Sequence, residues 1–206
     1  MLGIMRGYVR AVEAMNRAIG RVAMYLVFVL MAVLLWSSAS KTFFDPSLWT
    51  LETAQFVMVA YYILGGPYSI QLGSNVRMDL FYGDWSLRTK AWVDCFSVLF
   101  LMFYLGVLFY GAVSSTAYSL GHFGTEPFAF FGELIWAFAT GGPDAAAQTM
   151  GYLERSSTAW RPLIWPVKVI LCLGVLLMLL QALAELFKDI DRLRSGDADA
   201  IPSGEA

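Results

Sequence analysis

A single histidine, His122, and two cysteines, Cys95 and Cys172, are all that the 206 residues hold of those two types. A membrane b-type haem needs a pair of axial ligands, usually histidines, so the count argues against a haem subunit. The same scarcity removes histidine-based metal centres, Ser-His-Asp machinery and intramembrane HExxH proteases. Both cysteines lie in apolar runs, where a small core residue is their ordinary role and a disulfide or metal pair is not. No glycine-rich phosphate cradle occurs, and no basic cluster interleaved with aromatics marks a nucleic-acid surface. Charge is scarce as well, at 15% of residues against 58% hydrophobic, a balance far from that of soluble domains. With no catalytic, cofactor-binding or metal-ligating set, the chain does not read as an enzyme.

What the chain does have is long apolar runs, and four of them set the expected architecture: an all-α membrane protein in a single domain over 1–206. The first run, Val22 to Ser40, is bounded by Arg21 and Lys41 and is longer than a signal-peptide core, so it is read as a retained anchor. The second, Thr53 to Val76, carries Gly65, Gly66 and Pro67 at mid-span, with Asp45 as N-cap and Pro46 at the first helical position expected to open it. The third runs from Ala91 to about Leu120 and the fourth from about Leu163 to Phe187. Ten of the fourteen basic residues fall in the N-terminal arm, the loop after span two and the tail: Arg6, Arg10, Arg17, Arg21, Arg77, Arg88, Lys90, Lys188, Arg192 and Arg194. Basic residues stay in short cytoplasmic loops, so both termini are expected inside a bacterial inner membrane.

Flanking segments add three expectations. The arm, 1–20, spaces Ile4, Tyr8, Val12, Met15 and Ile19 at steps of three and four and reads as an amphipathic helix, with lipid its more ordinary contact and a protein partner the other. The tail, 195–206, is short and polar and is expected to be disordered. The loop 122–161 is too long for a plain connector and is expected outside, with an interfacial helix over Phe128 to Phe138 and a second after Gly141-Gly142-Pro143, from Asp144 to about Glu154. Its four acids, Glu126, Glu133, Asp144 and Glu154, outnumber Arg155 and Arg161. Two readings of that excess stand: a landing surface for a periplasmic protein, with Glu126, Asp144 and Glu154 as docking residues, or a cover over the bundle.

Ionisable residues within spans are few: Glu52, Asp94, Lys168 and Glu185. Asp94 and Glu185 sit near span ends. Glu52 and Lys168 fall at matching depth in spans two and four, which predicts an ion pair between them, with snorkelling as the alternative for Lys168. No chain of carboxylates at mid-bilayer and no pair of broken helices supplies a substrate or ion pathway. Few small-residue seams are evident, so the broad apolar faces point to a large membrane partner.

Glu52 at the head of span two, Leu64-Gly65-Gly66, Asn75-Val76-Arg77-Met78-Asp79-Leu80 at its exit, and Pro166 after Ser156-Ser157-Thr158 together resemble the small membrane subunit (DctQ-type) of tripartite ATP-independent periplasmic (TRAP) transporters. Asn75 stands where that family usually has a histidine, and Pro67 where a small residue follows the glycines. The resemblance implies an importer in which a periplasmic binding protein delivers an organic acid, a carboxylate and weakly a 2-oxo acid, to a large multi-span subunit coupled to sodium. The small subunit would brace it, without cofactor, and Glu52, Lys168, Arg77 and Asp79 would be structural or partner contacts. The competing readings are a membrane anchor for another inner-membrane complex, expected to supply cofactor ligands, and a self-contained four-helix transporter, expected to hold a carboxylate deep in span one. Val22 to Ser40 holds none.

Overall fold

The computed structural model describes residues 2–73 and 87–195. Five helices appear among them: α1 (Leu2–Phe43), α2 (Thr50–Gln71), α3 (Leu87–Ser119), α4 (Pro127–Thr149) and α5 (Trp165–Ser195). No strand occurs among the described residues beyond one isolated bridge, Arg155 to Leu163. The all-helical class expected from the apolar runs is the one adopted. Among the described residues, three stretches are long and apolar enough to cross a membrane: Met5–Phe43, Trp92–Ser119 and Trp165–Asp191. Helix α2, with 22 residues, reaches about 33 Å and so matches a bilayer core in length. Its Glu52, Gln55 and Gln71 and its Gly-Gly-Pro step interrupt its apolar run, and it stays helical through Pro67.

Two boundaries differ from expectation. The arm and span one form one helix of 42 residues rather than two elements. Nothing between Leu2 and Phe43 breaks the backbone, since there is no proline and Gly20 is the one glycine after Gly7. The Asp45-Pro46 pair closes α1 instead of opening α2, because a residue before proline is driven out of the helical region. Helix α2 starts at Thr50, where the Thr50 hydroxyl donates to Ser37 Oγ (3.2 Å) and the Ser47 carbonyl (3.1 Å), while Ser47 and Ser40 hydroxyls lie 3.1 Å apart. These short polar side chains compete for backbone groups and so favour a helix end and start over continuation.

The chain divides into two compact units. The first draws on the described residues of Met1–Tyr25, Tyr62–Val107 and Gly174–Ala206. Its seams are built on small residues, one per helix. A side chain at Gly20 of α1 would meet Tyr68 of α2, one at Gly66 of α2 would meet Met178 of α5, and one at Gly174 of α5 would overlap Ile63 of α2. Close backbone approach of this kind is how helices gain contact where lipid removes the hydrophobic drive. The chain therefore has the small-residue seams that its sequence did not advertise, because single glycines on different helices form no repeat. Gly174→Ala is expected to cost about 2 kcal/mol by overpacking, since the added methyl also approaches the Ile63 carbonyl oxygen (3.0 Å), which cannot rotate away. Gly65→Ala, with open space around it, is the control expected to be neutral or to stabilise by up to about 1 kcal/mol in the same thermal melt.

The second unit comprises Leu26–Tyr61 and Leu108–Leu173. Ala117, Leu120 and Phe130 form its core, with Phe131, Leu134, Leu153 and Trp165 packed around them. Helix α3 ends in a glycine cap: Gly121 takes φ 85°, its N–H donates to the Tyr118 carbonyl (3.0 Å) and the His122 N–H reaches back to Ala117 (3.0 Å). His122 lies stacked on Phe130, with ring centroids 4.6 Å apart. Helix α4 breaks at Gly142 (φ 73°, ψ −165°), the Gly-Gly-Pro position read from sequence. Its second piece stops at Thr149, short of the expected Glu154, because residues 150–164 form a hairpin-like turn instead.

Candidate functional site

Two polar clusters stand out, one in each unit, and each begins with a charge that a helix has carried inside. In the first unit, Lys188 of α5 is fully buried, at 0% exposure. Val9, Val12 and Ala184 form the apolar floor on which α1 and α5 meet, with Tyr8 donating to the Leu180 carbonyl (3.1 Å) and standing edge-on to Phe187. Above that floor the Lys188 ammonium pairs with Glu13 of α1 and with Glu185 one turn back (2.9 Å). The Gln181 amide donates to Glu185 (2.8 Å), and Asn16 Nδ2 donates to Gln181 Oε1 (2.7 Å). Asn16 and Gln181 are 1% and 0% exposed. Arg6 lies 3.7 Å from the buried Asp191 carboxylate and closes the outer end. The arm's inward face is thus packed against this chain's own α5, a contact within the chain that the spacing of its apolar residues did not identify. Met15, expected on that face, is exposed, whereas Val9 and Asn16 take the inward positions.

In the second unit the turn after α4 is stitched to the end of α3. Gly151 N–H donates to Leu120 O and Glu154 N–H to Ser119 O (both 3.0 Å), filling carbonyls that a helix end leaves open. The turn then folds on itself through Ser156 N–H to Pro162 O (2.9 Å) and Ile164 N–H to Glu154 O (3.2 Å). It delivers two hydroxyls to Glu52, which is 3% exposed: Ser156 (2.7 Å) and Thr158 both donate to Oε1, and Oε2 is buried without a hydrogen bond. Glu52 lies in the first turn of α2, where the helix dipole favours an anion. Lys168 pairs instead with Glu154 (2.7 Å), donates to the Ser115 carbonyl (3.2 Å) and sits over the Tyr118 ring.

The expected Glu52–Lys168 ion pair is therefore not formed. Each residue finds its partner in the turn 150–164, which sequence depth alone could not place. Glu154, assigned to docking, is half-buried and tied to Lys168. Glu126 and Asp144 are exposed, and Glu126 makes no side-chain cap to α4. Arg77, Asp79 and the Asn75 to Leu80 motif lie outside the described residues, as does the tail beyond Ser195. Sequence reading missed Glu13, Asn16, Gln181 and Lys188 as one cluster; the available signal was Asn16 and Gln181, amides inside otherwise apolar helical faces. Lys168→Met is expected to lower stability by about 1 kcal/mol, the scale of a part-exposed pair or a membrane polar contact. Glu154→Gln should reproduce most of that loss in a thermal melt, and the double substitution should add little.

Among the described residues no group of His, Cys, Asp and Glu could hold a metal ion. Both clusters join polar side chains from different segments of the chain, through amides and ion pairs in the first and hydroxyls and an ion pair in the second, an arrangement suited to fixing helices. The class defined is a helical membrane protein whose polar residues lock its own segments together. A family model described as "Tripartite ATP-independent periplasmic transporters, DctQ component" matches residues 30–192, and the chain belongs to that family. Searches of the curated proteins and of the solved structures gave no match. In TRAP systems this component works with a large membrane subunit and a periplasmic binding protein.

Proposed function

We propose that this chain is the fixed brace of a sodium-coupled importer of an organic acid, a carboxylate with 2-oxo acids among the candidates, and that it binds neither substrate nor sodium itself. In this reading the chain crosses the inner membrane four times, with α2 as the fourth crossing helix. Both termini are cytoplasmic and 122–161 is periplasmic. The observation that carries it is the contrast within the membrane helices. Polar groups are engaged within the chain, through Lys188, Glu52 and Lys168, while large apolar side chains such as Phe28, Leu35, Phe100 and Phe103 are 61–74% exposed. Helical units with outward apolar faces suit a helper that packs against a larger membrane protein.

Reconstitution tests this directly. Vesicles holding the large subunit should take up solute, with binding protein and a sodium gradient, only when this chain is present. Vesicles holding this chain alone should take up none. Uptake by this chain alone would overturn the brace reading. Within the loop, Glu126 and Asp144 remain the docking residues of the proposal, Glu154 being committed to Lys168. Neutralising both should slow uptake at limiting binding protein and flatten its salt dependence, with assembly unchanged. Unchanged rates would make the loop a cover.

A further inference from the structure

On the side of α1 not used by α5, Arg10, Arg17 and Arg21 rise as walls around a groove of about 430 Å³ floored by Ala14 and Ala18. These positions recur at steps of three and four and so share one helix face. All three arginines are exposed. Arg10 spends its Nε on the Arg6 carbonyl (3.3 Å). Among the described residues lining the groove Glu13 is the one acid, and its carboxylate is drawn to the buried Lys188. What faces outward is therefore a concentrated positive charge with its counter-ion removed to the interior.

We infer that this groove binds the headgroup of an anionic phospholipid, with the phosphate held between Arg17 and Arg21 and reached by Arg10. Charge complementarity selects the anion, and the guanidinium fork suits phosphate oxygens. The alanine floor lets a headgroup approach the helix closely. The source is a lipid rather than an acidic protein segment because the groove continues at once into apolar surface. Val22, Met24 and Tyr25, in the turn after Arg21, are 67%, 51% and 64% exposed and open the uncharged run Val22 to Ser40. A head-then-tail surface of this kind matches an amphiphile, whereas an acidic peptide would have no use for the apolar half.

The test uses the full chain extracted in neutral detergent with whatever subunits accompany it, probed by native mass spectrometry with dioleoyl phosphatidylglycerol and dioleoyl phosphatidylethanolamine. Phosphatidylglycerol should be retained in clear preference, and Arg17→Gln with Arg21→Gln should cut its affinity by about fivefold per arginine. The lysine pair R17K/R21K should keep most of it. A second variant, A14L/A18L, keeps every charge and a helix-favouring residue while filling the floor, and should also lose the lipid. Inorganic phosphate at millimolar concentration should not displace it. Equal retention of the two lipids, or unchanged phosphatidylglycerol binding in both R17Q/R21Q and A14L/A18L, overturns the proposal. So does full displacement by inorganic phosphate, which would mark a free-anion site. Loss of an accompanying subunit from R17Q/R21Q with lipid binding intact would make the groove a protein contact and equally overturn it.

Discussion

Lys188→Met is expected to destabilise the chain by about 3 kcal/mol, the low end of what breaking a buried ion pair costs. The ammonium has no exposure, and the side chains of its partners Glu13 and Glu185 are only 17% and 23% exposed. Removing the cation leaves two carboxylates facing each other beside a hydrophobic floor, both largely shielded from water by the contact of α1 with α5. Thermal unfolding of the purified protein measures the loss. Hydrogen exchange should localise it to α1 around Val9 to Asn16, with the turn 150–164 protected as before. The triple substitution E13Q/E185Q/K188M should recover most of the stability, because it removes all three charges and leaves amides able to bond one another. A single variant as stable as the parent would show that the buried charges are not the fastening.

Gly121→Ala is expected to cost about 3 kcal/mol for two separate reasons. A side chain at φ 85° is strained wherever it stands. The new methyl would also lie 2.5 Å from both the Gly151 carbonyl carbon and the Tyr152 nitrogen, which are main chain and cannot swing aside. Relief requires the turn after α4 to move off the end of α3, taking with it Glu154 and the hydroxyls that bind Glu52. The diagnostic result is coupling: in a Gly121→Ala background, Lys168→Met should no longer cost anything, since its partner has already left. Full additivity of the two substitutions would show that the turn holds its place without the glycine pair.

Local chemistry carried most of the fold that could be read in advance. The lengths of the apolar runs located α1, α3 and α5, and Gly142-Pro143 located the break in α4, because those signals depend on near neighbours along the chain. Partnership was illegible for the opposite reason. Lys188 was counted with the basic residues that set the orientation, yet it is buried, because it pairs with Glu13 of a helix distant in sequence. Lys168 was matched to Glu52 by depth, and depth cannot show that the turn 150–164 folds back to offer Glu154 to one and two hydroxyls to the other. The start of α2 slipped from Asp45 to Thr50 because Pro46 serves equally well as a stop and as a first helical residue. Only the hydroxyls gathered around Thr50 decide between them.

The fastening of α1 to α5 also sets a schedule. Asn16 leaves the ribosome 165 residues ahead of Gln181, and it and Glu13 must wait, unpaired, until Gln181, Glu185 and Lys188 have been made, so the seam cannot close before α5 is complete. Contacts so distant in sequence are the slowest to form. A product that stops short of Lys188 would therefore display a carboxylate and an amide on an otherwise apolar face, a mark by which membrane quality control could tell it from the finished subunit.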